Sequence, residues 1–112
     1  NSISNYIAEY LLSNYSLVQD YIDSVVESRH MMTQFFQHLN VNIKVGSGNY
    51  ILIDLLNPDT AKECVSYLRK HLVYVKGPWA SPYSRFITIT LGPYQKLEPF
   101  RYHFSNFISN NA

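Results

Sequence analysis

Gly48-Asn49-Tyr50-Ile51-Leu52-Ile53-Asp54 and Phe86-Ile87-Thr88-Ile89-Thr90-Leu91-Gly92 are the two stretches on which the fold turns. The first opens a nearly continuous apolar strand from Tyr50 to Leu56, and the second reads as the last strand, Phe86 to Leu91. Between them Leu72-Val73-Tyr74-Val75 reads as a further strand. Upstream, Val41, Ile43 and Val45 alternate with polar residues, the period of a half-buried strand. Gly46-Ser47-Gly48-Asn49 then marks a turn between that strand and Tyr50.

Helices surround these strands. Ile3, Tyr6, Ile7, Tyr10 and Leu11 fall on one helical face. Asn14-Tyr15-Ser16 interrupts it, and Ser16 with Gln19 reads as a capping box that starts a new helix. That helix is expected to run to Leu39 along a seam of Val18, Ile22, Val25, Arg29, Met32, Phe36 and Leu39. At 1.5 Å per residue it would span about 35 Å, enough to bridge two units or cross a sheet. Arg29 breaks the seam; its stem is expected to pack while its head reaches solvent or a carboxylate. Asn40 ends the helix. Asn57-Pro58 starts the next one, with proline tolerated at the first helical position and Ala61, Cys64, Val65 and Leu68 on the buried face. Lys76-Gly77-Pro78-Trp79-Ala80-Ser81-Pro82 is a loop. Pro99 opens a final helix with Phe100, Phe104, Phe107 and Ile108 on one side.

The order α-α-β-β-α-β-β-α predicts an α/β fold: a two-layer sandwich with one small mixed sheet packed by helices, and a long N-terminal helix. A chain of 112 residues with 46% apolar content is expected to form one domain with a real core, residues 1–39 leading in as helix and residues 40–112 forming the α/β part. Net charge is +1 and the nine basic residues are scattered, which argues against a nucleic-acid partner. Cys64 is the one cysteine, so no disulfide framework or cysteine metal site exists, and a reduced, cytoplasmic setting fits. No apolar run has transmembrane length and no signal peptide opens the chain, so no membrane partner is expected. A start at Asn1 rather than methionine predicts a fragment of a longer protein.

Isolated chemical groups are few. The four histidines, His30, His38, His71 and His103, are dispersed, and no metal site is expected from them. Gly46-x-Gly48 does not lead from a strand into a helix, so it reads as a hairpin turn rather than a phosphate loop. The ten tyrosines lack an RNA-recognition motif and read as packing or interface residues. No serine or cysteine has an identifiable base partner. Trp79, in the glycine- and proline-bearing loop, is the best candidate for an exposed functional ring.

A long helix, then Asn49-Tyr50 entering a strand, a helix from Asn57-Pro58, a short apolar run, a loop, and Phe86–Gly92 resembles the C-terminal small domain of fold-type I pyridoxal-phosphate enzymes. The likeness is to the aminotransferase class I/II family, in its histidinol-phosphate-aminotransferase-like branch, and spans nearly the whole chain. It implies a domain that recognises an amino-acid-like substrate and closes over the cofactor without being catalytic alone. The Schiff-base lysine and most contacts to pyridoxal phosphate would lie in a large domain of the same parent chain, and the parent would be a homodimer. Lys44, Lys62, Lys70, Lys76 and Lys96 are in no context resembling the cofactor lysine.

In that family the arginine that grips the substrate carboxylate lies four residues before the glycine closing the last strand; a guanidinium suits it through its bidentate fork. Four residues before Gly92 stands Thr88, with Arg85 three further upstream. Strand side chains alternate faces, so Arg85 cannot stand in from its own register. The resemblance thus places Thr88, Arg85 and Asn49 nearest the substrate and Trp79 in a loop shaping its entrance; either Arg85 reaches the site through a bulge or a different loop path, or Thr88 marks a changed substrate or a site that takes no α-carboxylate. Pro93 also departs from the family pattern. The competing reading is a non-enzymatic α/β module that binds a ligand or a protein.

Overall fold

The computed structural model describes residues 15–45 and 48–111. The expected helix face Ile3–Leu11 and the Gly46-Ser47 half of the turn lie outside the described residues. In chain order the elements are α1 (Tyr15–His38), β1 (Ile43–Val45), β2 (Tyr50–Asp54), α2 (Pro58–Lys70), β3 (Phe86–Thr90), a 3-10 turn (Tyr94–Leu97) and α3 (Glu98–Asn110). The chain is a small α/β fold with one sheet under helices, as the pattern of apolar runs predicts.

Local chemistry sets the helix ends. Asn57 caps α2 through its Oδ1, which accepts from the Thr60 N–H at 2.8 Å, and Pro58 opens the first turn. Ser16 is no cap: it lies inside α1, which already includes Tyr15. Helix α1 closes in a Schellman motif, with Asn40 at φ 57 and the Val41 N–H returning to the Phe36 carbonyl at 3.0 Å. Helix α2 closes the same way: Leu72 sits at φ 63 and the Val73 N–H returns to Leu68 at 2.9 Å. That closure accounts for one departure from the predicted strands. Leu72 and Val73 are committed to terminating α2, so Leu72–Val75 forms no strand. Only Lys76 pairs with the sheet, as a single antiparallel bridge to Thr88.

The sheet order is β1-β2-β3 and both pairings are antiparallel, where the sequence predicts a mixed sheet. Strand β2 stops at Asp54 rather than Leu56, because Leu56 turns to φ 75 with its N–H on the Asp54 carboxylate at 2.9 Å. Ile51 pairs with Ile89 and Ile53 with Ile87, and all four point into the core. There they meet Met32 and Phe36 of α1, Cys64 and Leu68 of α2, and Phe100, Phe104 and Phe107 of α3. Phe36 packs edge-on to Phe104 at 5.5 Å, and Phe100 stacks on Phe104 at 5.1 Å. Full burial of such side chains contributes about 1.5–3 kcal/mol each.

Helix α1 is buried only from Val25 onward. Val25, Ser28, Met32 and Phe36 are covered, whereas Val18 and Ile22 of the predicted seam are exposed, as are Leu17, Tyr21 and Val26. The alternation of β2 and β3 sends Leu52 and Thr88 to the face opposite the helices, where they stand side by side.

Candidate functional site

That second face carries a cavity of about 670 Å³, within the size range of small-molecule sites. Its floor is the register line itself: Leu52 and Tyr50 from β2, Thr88 and Thr90 from β3. Asn49 borders it where the chain enters β2. The roof is the segment after Lys76, which contributes Lys76, Trp79 and Tyr83.

Three hydrogen bonds hold the Lys76–Trp79 end of the roof to Thr88 in the floor. The Lys76 N–H donates to the Thr88 carbonyl at 3.0 Å and the Thr88 N–H to the Lys76 carbonyl at 2.7 Å. The Trp79 Nε1–H donates to the Thr88 Oγ1 at 2.8 Å. Gly77 makes this course possible. Its φ is +126, and a Cβ there would lie 3.0 Å from the Phe86 carbonyl oxygen and 3.1 Å from the Ile87 Cα. On the far side, the guanidinium of half-buried Arg29 donates to the Gly48 carbonyl, tying α1 to the residue before Asn49.

Asn49, Thr88 and Trp79 therefore border one cavity. Arg85 does not. Its Nε lies 3.3 Å from the Asp54 Oδ1, and its guanidinium sits 5.1 Å from the Phe86 ring centre. Half of its side chain is exposed, so this pair is worth at most about 1 kcal/mol. Lys76, Tyr50 and Tyr83 are wall residues that the strand reading missed. The available signal was the shared parity of Tyr50 and Leu52 with their cross-strand partners, and the aromatic content of the loop.

The chemistry of the wall is nearly neutral. Among the described residues Lys76 is the one ionisable cation in it and no carboxylate lines it, while Thr88, Thr90 and Asn49 offer hydrogen-bonding groups. Among the described residues no group of three or more His, Cys, Asp and Glu is placed to hold a metal ion. Nor do the cavity residues fit pyridoxal phosphate alone. They supply one amine but neither the acidic partner for a pyridine nitrogen nor a guanidinium for a phosphate.

No protein-family profile and no curated protein matches the chain. Solved structures do. Histidinol-phosphate aminotransferase from Sinorhizobium meliloti, in complex with pyridoxal-5'-phosphate, superposes with a TM-score of 0.78 at 16% identity, over 90% of this chain and 28% of that one. A candidate aminotransferase from Burkholderia pseudomallei gives 0.74 at 14% identity, over 89% and 30%. A candidate histidinol-phosphate aminotransferase from Erwinia carotovora atroseptica gives 0.68 at 19% identity, over 80% and 25%. At these identities the likeness is one of fold. The chain has an aminotransferase-like fold and spans between 25% and 30% of the length of these solved chains. No helix among the described residues is long and apolar enough to cross a membrane.

Proposed function

We propose that this chain is the small domain of a pyridoxal-phosphate-dependent aminotransferase, contributing substrate recognition and closure while the rest of a longer parent chain holds the cofactor. The observation that carries this reading is the superposition on the pyridoxal-phosphate complex of histidinol-phosphate aminotransferase, over 90% of this chain but 28% of that one. The exposed apolar stripe of Leu17, Val18, Tyr21, Ile22 and Val26 on α1 supports it, since it offers a surface on which a large domain would dock. When bound, pyridoxal phosphate supplies the electron sink for chemistry at the substrate's α-carbon. The residues of this chain would act around it. Asn49 and the Thr88 hydroxyl would orient a polar substrate group, and the Trp79 ring would wall the entrance and exclude water. Arg85, engaged with Asp54, would take part only after releasing that carboxylate.

The test is an absorption titration of the full parent protein with pyridoxal phosphate. The expected result is a visible band that borohydride abolishes. A second reading has two observations in its favour: among the described residues no guanidinium lines the cavity, and the Thr88 hydroxyl is already engaged by Trp79. In that reading the fold is reused as a non-enzymatic ligand-binding module, and the titration gives no band.

A further inference from the structure

The cavity wall has a composition that selects a ligand. Three aromatic side chains, Tyr50, Trp79 and Tyr83, line it and remain partly open to solvent, at 44%, 43% and 62% of their full exposure. Rings left exposed around one concavity are unusual for a free surface and suit a flat apolar guest. Against them stands a single cation. Lys76 faces Thr88 directly across the antiparallel bridge, so both side chains project to the cavity side of the sheet. Among the described residues no carboxylate borders the cavity, and the one ion pair, Arg85 with Asp54, does not involve Lys76. One positive charge, three rings, a hydroxyl floor and about 670 Å³ fit a small anion with an aromatic body.

We infer that this cavity binds a small aromatic monocarboxylate, its ring held among Tyr50, Trp79 and Tyr83 and its carboxylate met by the Lys76 ammonium. The cation comes from the strand-edge segment beside Thr88, not from position 88 itself. The inference deepens the reading above by naming the substrate class of the same site, and its test is independent of the cofactor.

Trp79 is the sole tryptophan, so its emission reports the cavity directly. The 112-residue chain is titrated without cofactor, with phenylacetate and with its neutral isostere phenylacetamide. Phenylacetate is expected to bind about fivefold more tightly, the scale of one partly exposed ion pair, and added salt should erode that preference. Lys76→Gln should abolish the preference while leaving phenylacetamide binding unchanged. Cyclohexylacetate should bind more weakly than phenylacetate. Equal binding of acid and amide by the unsubstituted chain overturns the role of Lys76. No change in Trp79 emission with either compound overturns the site. A chain that binds phenylacetate although its parent gives no absorption band with pyridoxal phosphate separates this inference from the enzymatic reading.

Discussion

The indole N–H of Trp79 donates to the hydroxyl of Thr88 at 2.8 Å, joining the middle of the loop to the centre of β3. Thr88 is one of two buried polar side chains among the described residues, and this bond is what satisfies it. Thr88→Val keeps the shape and removes the acceptor. An unpaired indole N–H and a released ring are expected to cost about 1 kcal/mol. The lower denaturation midpoint should be accompanied by a red shift of Trp79 emission. An unshifted emission maximum would show that the loop is held without this bond.

Gly77→Ala tests the close approach of the loop to β3. The residue adopts φ +126, and the added methyl would meet the Phe86 carbonyl oxygen at 3.0 Å, a backbone atom that cannot turn aside. Backbone strain of this kind costs about 1–3 kcal/mol before any clash is added. Urea denaturation should show at least that loss, and a midpoint equal to that of the unsubstituted chain would refute the loop's described path.

Cys64 links stability to alkaline pH. Burial pushes its thiol up from the ordinary 9.0 to about 12. Between those values the unfolded chain releases the proton and the folded chain retains it. The unfolded state then binds fewer protons, so stability falls as pH rises, and the contribution is complete below pH 9. Over the whole window the effect is on the order of 4 kcal/mol. Denaturation curves from pH 8 to 11 should fall less steeply for Cys64→Ala than for the unsubstituted chain. At pH 8 a thiol reagent should label the unsubstituted chain only after denaturant is added.

Leu72 occupies a position that helices normally give to glycine. It is 77% exposed, so its side chain gains little from packing while its backbone pays about 1–2 kcal/mol for the left-handed conformation. Leu72→Gly should raise the midpoint modestly, because the extra unfolded-state freedom of glycine offsets only part of that gain. Leu72→Ile should lower it, since a branched Cβ worsens the same conformation. The opposite order in thermal melts would contradict the Schellman closure of α2.

Much of the frame was legible because it is written locally. The Asn57-Pro58 start, the Ala61, Cys64, Val65 and Leu68 face, the Asn40 stop and the phenylalanine stripe of α3 each depend on neighbours within a turn or two. The strand expected at Leu72–Val75 was misread for a reason absent from its composition. Apolar character does not reveal that a leucine will take a left-handed conformation to close the preceding helix. The half-burial of α1 was hidden as well, since its apolar seam continues through Val18 and Ile22, which are exposed, at the same spacing as through Met32 and Phe36, which are buried. At the cavity, Asn49, Thr88 and Trp79 could be named from the resemblance, but Arg85 was lost to Asp54, thirty-one positions away in sequence and adjacent only after β2 and β3 pair. Lys76 went unnoticed because its placement depends on a bridge of one residue pair.

That lone bridge makes Thr88 the mooring of the loop's leading end, three lines tied to one post, while the trailing end is held by the Phe86 N–H on the Tyr83 carbonyl at 3.1 Å. Both backbone groups of Thr88 go to Lys76 and its hydroxyl goes to Trp79. The leading end of the roof therefore moves as a unit: freeing the Thr88 amide means casting off Lys76, and the indole has no other anchor among the described hydrogen bonds. Hydrogen–deuterium exchange at this single amide becomes a clock for the lifting of the Lys76–Trp79 side of the cavity, while Ile87 and Ile89, whose amides point inward to β2, keep the slower time of the sheet.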